Sequence, residues 1–139
     1  MVYRDESLVV AQAEWKGPIR IPDADPEGGV ARSALRIADI GVTRRVQLEV
    51  DLRHPSISDV SITLVGPSGA RALVYTQFPA SEARHALRFD SDNFARLEAL
   101  LGEPSAGVWQ LHVRDSVAKD VGTLDRWAIT VEIALPSRS

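Results

Sequence analysis

Hydrophobic residues recur at every second position through much of this chain. Val46, Leu48, Val50 and Leu52 alternate with Gln47, Glu49 and Asp51. Successive side chains of an extended strand point to opposite faces, so such a stretch buries one face and wets the other. Val60, Ile62 and Leu64 repeat the pattern against Ser61 and Thr63. Gly66-Pro67-Ser68-Gly69 follows, and Ala70 to Tyr75 returns as a further strand, so a hairpin is the economical reading. Leu35 and Ile37 mark an earlier strand and Leu87 and Phe89 a later one. Trp109, Leu111 and Val113 alternate with Gln110, His112 and Arg114, and Trp127, Ile129, Val131 and Ile133 with Ala128, Thr130 and Glu132. Leu8 to Trp15 supplies one more.

One segment departs from this period. Phe94, Leu97, Leu100 and Leu101 fall at i, i+3, i+6 and i+7, between a polar Ser91-Asp92-Asn93 and a closing Gly102. That spacing predicts a short amphipathic helix. About eight strands and one short helix indicate an all-β antiparallel sandwich, jelly roll or related barrel. No internal repeat, low-complexity tract or linker is visible. Residues 1–16 read as an N-terminal strand or linker region, 17–135 as the sandwich domain and 136–139 as a loose tail.

At 139 residues the chain is long enough for one core but too short for a protease catalytic domain plus an accessory module. No apolar run is long enough for a membrane-spanning helix. The absence of cysteine removes disulfides, thiolate zinc sites and thiol catalysis. A net charge of −3 argues against nucleic acid as a partner. The basic residues, mostly Arg, are scattered singly or in pairs, as in Arg32, Arg36, Arg44, Arg45 and Arg53, and read as solvated surface. The start, Met-Val-Tyr-Arg-Asp-Glu, lacks the basic and apolar regions of a signal peptide, leaving a cytoplasmic protein or a piece of a longer exported one.

Several motifs in order carry a family resemblance. Ile21-Pro22-Asp23 comes first, then His54 and Asp59 within Val50-Asp51-Leu52-Arg53-His54-Pro55-Ser56-Ile57-Ser58-Asp59-Val60, then the hairpin Leu64-Val65-Gly66-Pro67-Ser68-Gly69. Gly107-Val108-Trp109-Gln110-Leu111 follows, then Arg114-Asp115, Asp120-Val121-Gly122-Thr123-Leu124 and Trp127. Over about 110 residues the chain resembles the P domain (P/Homo B domain) that follows the catalytic domain of kexin- and furin-like subtilisin-type proteases, in its bacterial form. Ser58 and Gly66 depart from the usual Gly and Ser at those positions. The segment between Asp90 and Val108 is shorter than in many members.

The resemblance implies a jelly-roll sandwich, a non-catalytic role beside a subtilisin-like serine endopeptidase domain in cis or in trans, and a secreted or cell-surface setting. No Gly-x-Ser-x-Gly elbow is present, and Ser68 lies in a turn, so the chain itself is not expected to cleave a substrate. Calcium is the metal to expect, because hard cations draw oxygen ligands from loops. Bacterial members often hold it through loop aspartates, which makes Asp23, Asp25, Asp59, Asp90, Asp92, Asp115 and Asp120 the candidate ligands. Asp92 could equally cap the helix and Asp115 brace its loop.

His54 and His112 lack a second ligand at metal spacing and read as ordinary hydrogen-bonded histidines. Trp109 and Trp127 fall in phase with core residues, whereas Trp15 is the tryptophan open to exposure. The rival function is a free-standing jelly-roll module that binds carbohydrate or protein. Leu8, Val10 and Trp15 are candidates for contact with a preceding domain.

Overall fold

The computed structural model describes residues 8–21, 30–53, 60–75, 84–115 and 122–135. The described residues form eight strands: β1 (Leu8–Ile21), β2 (Val30–Ile37), β3 (Val42–Arg53), β4 (Val60–Val65), β5 (Arg71–Tyr75), β6 (Arg84–Asp90), β7 (Gly107–Asp115) and β8 (Gly122–Ala134). They make two four-stranded sheets, β1-β8-β3-β6 and β2-β7-β4-β5, with every described pairing antiparallel. Strands that follow one another in the chain lie mostly in different sheets, which is the jelly-roll winding expected from the sequence.

Burial follows the two-residue period. Val46, Leu48, Val50 and Leu52 of β3 are fully buried, as are Ile62 and Leu64 of β4, Leu111 and Val113 of β7, and Leu124, Val131 and Ile133 of β8. Together they form one hydrophobic core between the sheets. β1 starts at Leu8 and pairs with β8 through Ile21, so it runs through the boundary drawn at residue 16. Its register shifts between Lys16 and Ile19, where the Gly17-Pro18 bond is cis.

The helix is of the 3₁₀ type and spans Ala95–Leu100. Its apolar residues Phe94, Leu97 and Leu100 are three apart, the period of a 3₁₀ rather than an α-helix. Leu97 and Leu100 are buried, and Phe94 packs on Phe89 with ring centroids 5.2 Å apart. No side chain caps it, so the role considered for Asp92 as a helix cap is not the one it takes. Gly102, at φ +84°, turns the chain back, and its N–H donates to the Thr43 carbonyl (2.8 Å) at the start of β3.

Candidate functional site

Two of the family motifs, the Pro-Ser-Gly hairpin and the Gly-x-Trp strand, lie against each other. In the Gly66–Ala70 turn, the Gly69 N–H donates to the Gly66 carbonyl (3.0 Å) and the Gly66 N–H to the Ala70 carbonyl (2.9 Å). Gly69 takes φ +94°, which an L side chain rarely adopts. Pro67 of that turn lies against Gly107, where a Cβ would come within 2.8 Å of the proline Cβ. The Pro-Ser-Gly hairpin and the Gly-x-Trp strand are therefore two sides of one close contact. Two residues on, the Trp109 indole N–H donates to the Ser105 carbonyl (3.0 Å), and the Ser105 hydroxyl donates to the Asp39 carbonyl (2.7 Å). The Trp127 indole N–H crosses from one sheet to the other and donates to Ser33 Oγ (2.8 Å). Both rings are buried with their polar atoms satisfied, so they offer no sugar-stacking platform. Trp15 is half-buried and packs against the same core.

Of the candidate calcium ligands, Asp23, Asp25, Asp59 and Asp120 lie outside the described residues, as does His54. Asp115 ends β7, where its backbone is in register with Val60. Asp90 and Asp92 come together, but around a cation of the protein's own. Arg45 donates from Nε to Asp90 Oδ1 (3.1 Å) and from one terminal nitrogen to Asp90 Oδ2 (2.6 Å). Its other terminal nitrogen donates to Glu132 Oε2 (3.1 Å), and Asp92 Oδ2 lies 3.2 Å from Nε. Gln47 and the backbone N–H of Asp92 also donate to Asp90.

The guanidinium, with the backbone donation behind it, holds the Asp90 carboxyl far below the ordinary carboxylate range, and the acids raise Arg45 in turn. As arranged, this pair does not fit calcium, since the ion would compete with Arg45 for the same oxygens. Among the described residues no three metal-ligating side chains cluster.

Arg45 belongs to a ladder of ion pairs on the outer face of the β1-β8-β3-β6 sheet. Arg126 pairs with Glu14 and also approaches Glu49 (3.5 Å) and Asp51 (3.4 Å), while Arg88 lies 3.9 Å from Glu49. A shallow polar hollow of about 300 Å³ opens here, lined by Gln47, Glu49, Arg88, Phe89, Asp90 and Asn93 among others. Arg45 thus pairs with acids from β6, β8 and the turn after β6. No sequence spacing links them.

Exposed apolar residues gather at one end of the same sheet. Among the described residues seven large hydrophobic side chains are exposed, and five of them are Leu8, Val10, Ile40, Val42 and Leu135. Leu8 and Val42 flank Ala134 in one row across β1, β8 and β3, and Ile40 and Leu135 adjoin it in the chain. Leu8 and Val10 are two of the three contact residues expected from the sequence. Trp15, the third, faces inward.

An eight-stranded jelly roll whose Pro-Ser-Gly hairpin seats against a Gly-x-Trp strand is a defined class of domain. Residues 43–131 match the family of proprotein convertase P-domains, and the chain belongs to that family. It is 30% identical over 132 residues to the microbial serine proteinase of Aeromonas salmonicida, an alignment covering 84% of this chain and 21% of that protein. The chain therefore spans about a fifth of the length of the curated relative it matches. The serine protease of Aeromonas sobria, solved in complex with the chaperone ORF2, superposes with a TM-score of 0.74 at 20% identity, over 94% of this chain and 28% of that one. The structure of FLHE superposes with a TM-score of 0.65 at 11% identity, over 91% and 97%. At these identities the superpositions establish a shared fold. No described helix is long and apolar enough to cross a membrane.

Proposed function

We propose that this chain is the non-catalytic P domain of a subtilisin-like serine endopeptidase of proprotein convertase or kexin type, and that it packs against the catalytic domain and stabilises it. The family match over residues 43–131 carries this reading. The mechanism is linkage: a domain that binds the folded catalytic unit and not its unfolded chain raises that unit's apparent stability. The docking patch in this reading is the apolar end of Leu8, Val10, Ile40, Val42 and Leu135, an apolar centre of the kind protein interfaces bury. The Aeromonas relatives named as serine proteinases favour an extracellular setting, which is part of the same proposal.

The test is the thermal stability and activity of the subtilisin-like domain encoded in the same or the neighbouring reading frame, measured with and without this chain. Added chain should raise the melting temperature by several degrees, and Val10→Asp with Ile40→Asp should abolish the rise while leaving this chain folded. No rise with the unaltered chain would refute the accessory role. The proposal also includes a structural calcium ion on the loop aspartates Asp23, Asp25, Asp59, Asp115 and Asp120. A melt of the chain in chelator, then with millimolar calcium, should shift upward by several degrees where magnesium does not reproduce it. Superimposable melts would remove calcium from the account.

A further inference from the structure

The outer face of the second sheet has a different character. Its outward positions run in register as Arg36–Val108, Ala34–Gln110–Val65–Arg71, Arg32–His112–Thr63–Leu73 and Val30–Arg114–Ser61. Arg32, Arg36, Arg71 and Arg114 are all exposed. None of the four has an ion-pair partner among the described residues, although the chain as a whole carries a net charge of −3. The one carboxylate in these four strands is Asp115, at the last position of β7. The arginines lie close enough together to act on His112 from two strands. Burial lowers the His112 pKa first, and Arg32 and Arg71 lower it further.

We propose that this arginine face is an interaction surface for a carboxylate-rich face of a protein partner. Small residues, Ala34, Ser61 and Thr63, separate the arginines, so the sheet presents a broad, low surface rather than a groove. It measures roughly 15 Å across the strands by 25 Å along them. Such a shape fits a folded surface better than a small molecule. Leu73 and Val108, the two exposed large hydrophobics outside the apolar end among the described residues, lie on this face and supply apolar contact beside the charges. The cations are all guanidiniums, whose planar fork matches a carboxylate with two parallel hydrogen bonds. Arginine is enriched at protein interfaces and lysine depleted. The surface belongs to the other sheet and uses none of the residues of the apolar end, so the proposal does not rest on the protease reading.

The probe is a synthetic peptide of about sixteen alternating Glu and Ser residues, titrated into the isotope-labelled chain, with heparin and duplex DNA of matched charge as competitors. Shifts in amide resonances should fall on β2, β7, β4 and β5, and affinity should drop roughly tenfold or more when Arg32, Arg36, Arg71 and Arg114 are all changed to Gln. Changing the four to Lys keeps the charge and removes the fork. That variant should lose affinity for the peptide several-fold and keep its weak binding of heparin. Tighter binding of heparin or DNA than of the peptide would overturn the proposal, as would shifts confined to the other sheet or an undiminished affinity in the Lys variant. Melting curves of both variants establish that they remain folded.

Discussion

The two outer faces of this sandwich use arginine in opposite ways. On the β1-β8-β3-β6 sheet, Arg45, Arg88 and Arg126 each lie beside acids delivered by neighbouring strands. On the β2-β7-β4-β5 sheet, four exposed arginines share a surface with neutral neighbours and no ion-pair partner among the described residues. Paired charges in register hold neighbouring strands to each other, each at modest strength because they are partly wet. Unpaired like charges contribute nothing to cohesion and repel one another slightly. Among the described residues this face carries charge that the sheet does not use for its own cohesion, which is the observation behind the proposed partner.

The largest effect should come from the layer both faces share. Trp127→Ala removes a buried ring and its hydrogen bond to Ser33, and should lower stability by about 3–5 kcal/mol in urea unfolding. A value below about 1 kcal/mol would mean that the ring does not join the two sheets as described.

The sharper comparison sets one arginine against another. Arg45→Met removes the partner of Asp90, Asp92 and Glu132 and should lower the melting temperature by about 2–4 °C at neutral pH. Arg71→Gln, on the other sheet, should leave it within about 1 °C. Acid separates the two further. The folded pKa of Asp90 lies below its unfolded value, so its contribution is complete above about pH 4 and is lost as pH falls further. Arg45→Met should flatten that acid limb and Arg71→Gln should not. Equal effects from the two substitutions would erase the distinction between the faces.

The smallest effect concerns His112. Burial and the neighbouring arginines lower its folded pKa, so the unfolded chain takes up the proton more readily. Stability should therefore dip as pH falls from about 7 towards 5, and His112→Gln should remove the dip. A curve unchanged by that substitution would show that burial and the arginines together do not depress the His112 pKa as described.

Much of the fold was legible because its period is local. Alternation of Val46 to Leu52 or of Trp127 to Ile133 shows which side chains face inward whatever the neighbouring strand is. That alternation places Trp109 and Trp127 in the core, and both are buried. The helix was legible too, whereas its 3₁₀ form shows in the Leu97 N–H to Phe94 carbonyl and Leu101 N–H to Glu98 carbonyl bonds. The candidate site was harder. Asp90 and Asp92 were visible as loop acids, but their bond to Arg45 spans more than forty residues of chain. Its neighbours Lys16, Gly17 and Pro18 leave Trp15 a chance of exposure, and its pairing with Trp127 across β1 and β8 leaves it half-buried against the core.

The sequence by itself determined most of the strands, their buried faces and the Pro-Ser-Gly turn, since each depends on residues close together in the chain, and the order of its motifs along the chain carried the family. Only the tertiary structure decided which strands became neighbours. That choice brought Arg32, Arg36, Arg71 and Arg114 from three separate strands onto one face, and Leu8, Val42 and Leu135 to one end. Arginines that look scattered along the chain are a surface in space, because a jelly roll puts sequence-distant strands side by side. Register is set by long-range packing that no local pattern encodes.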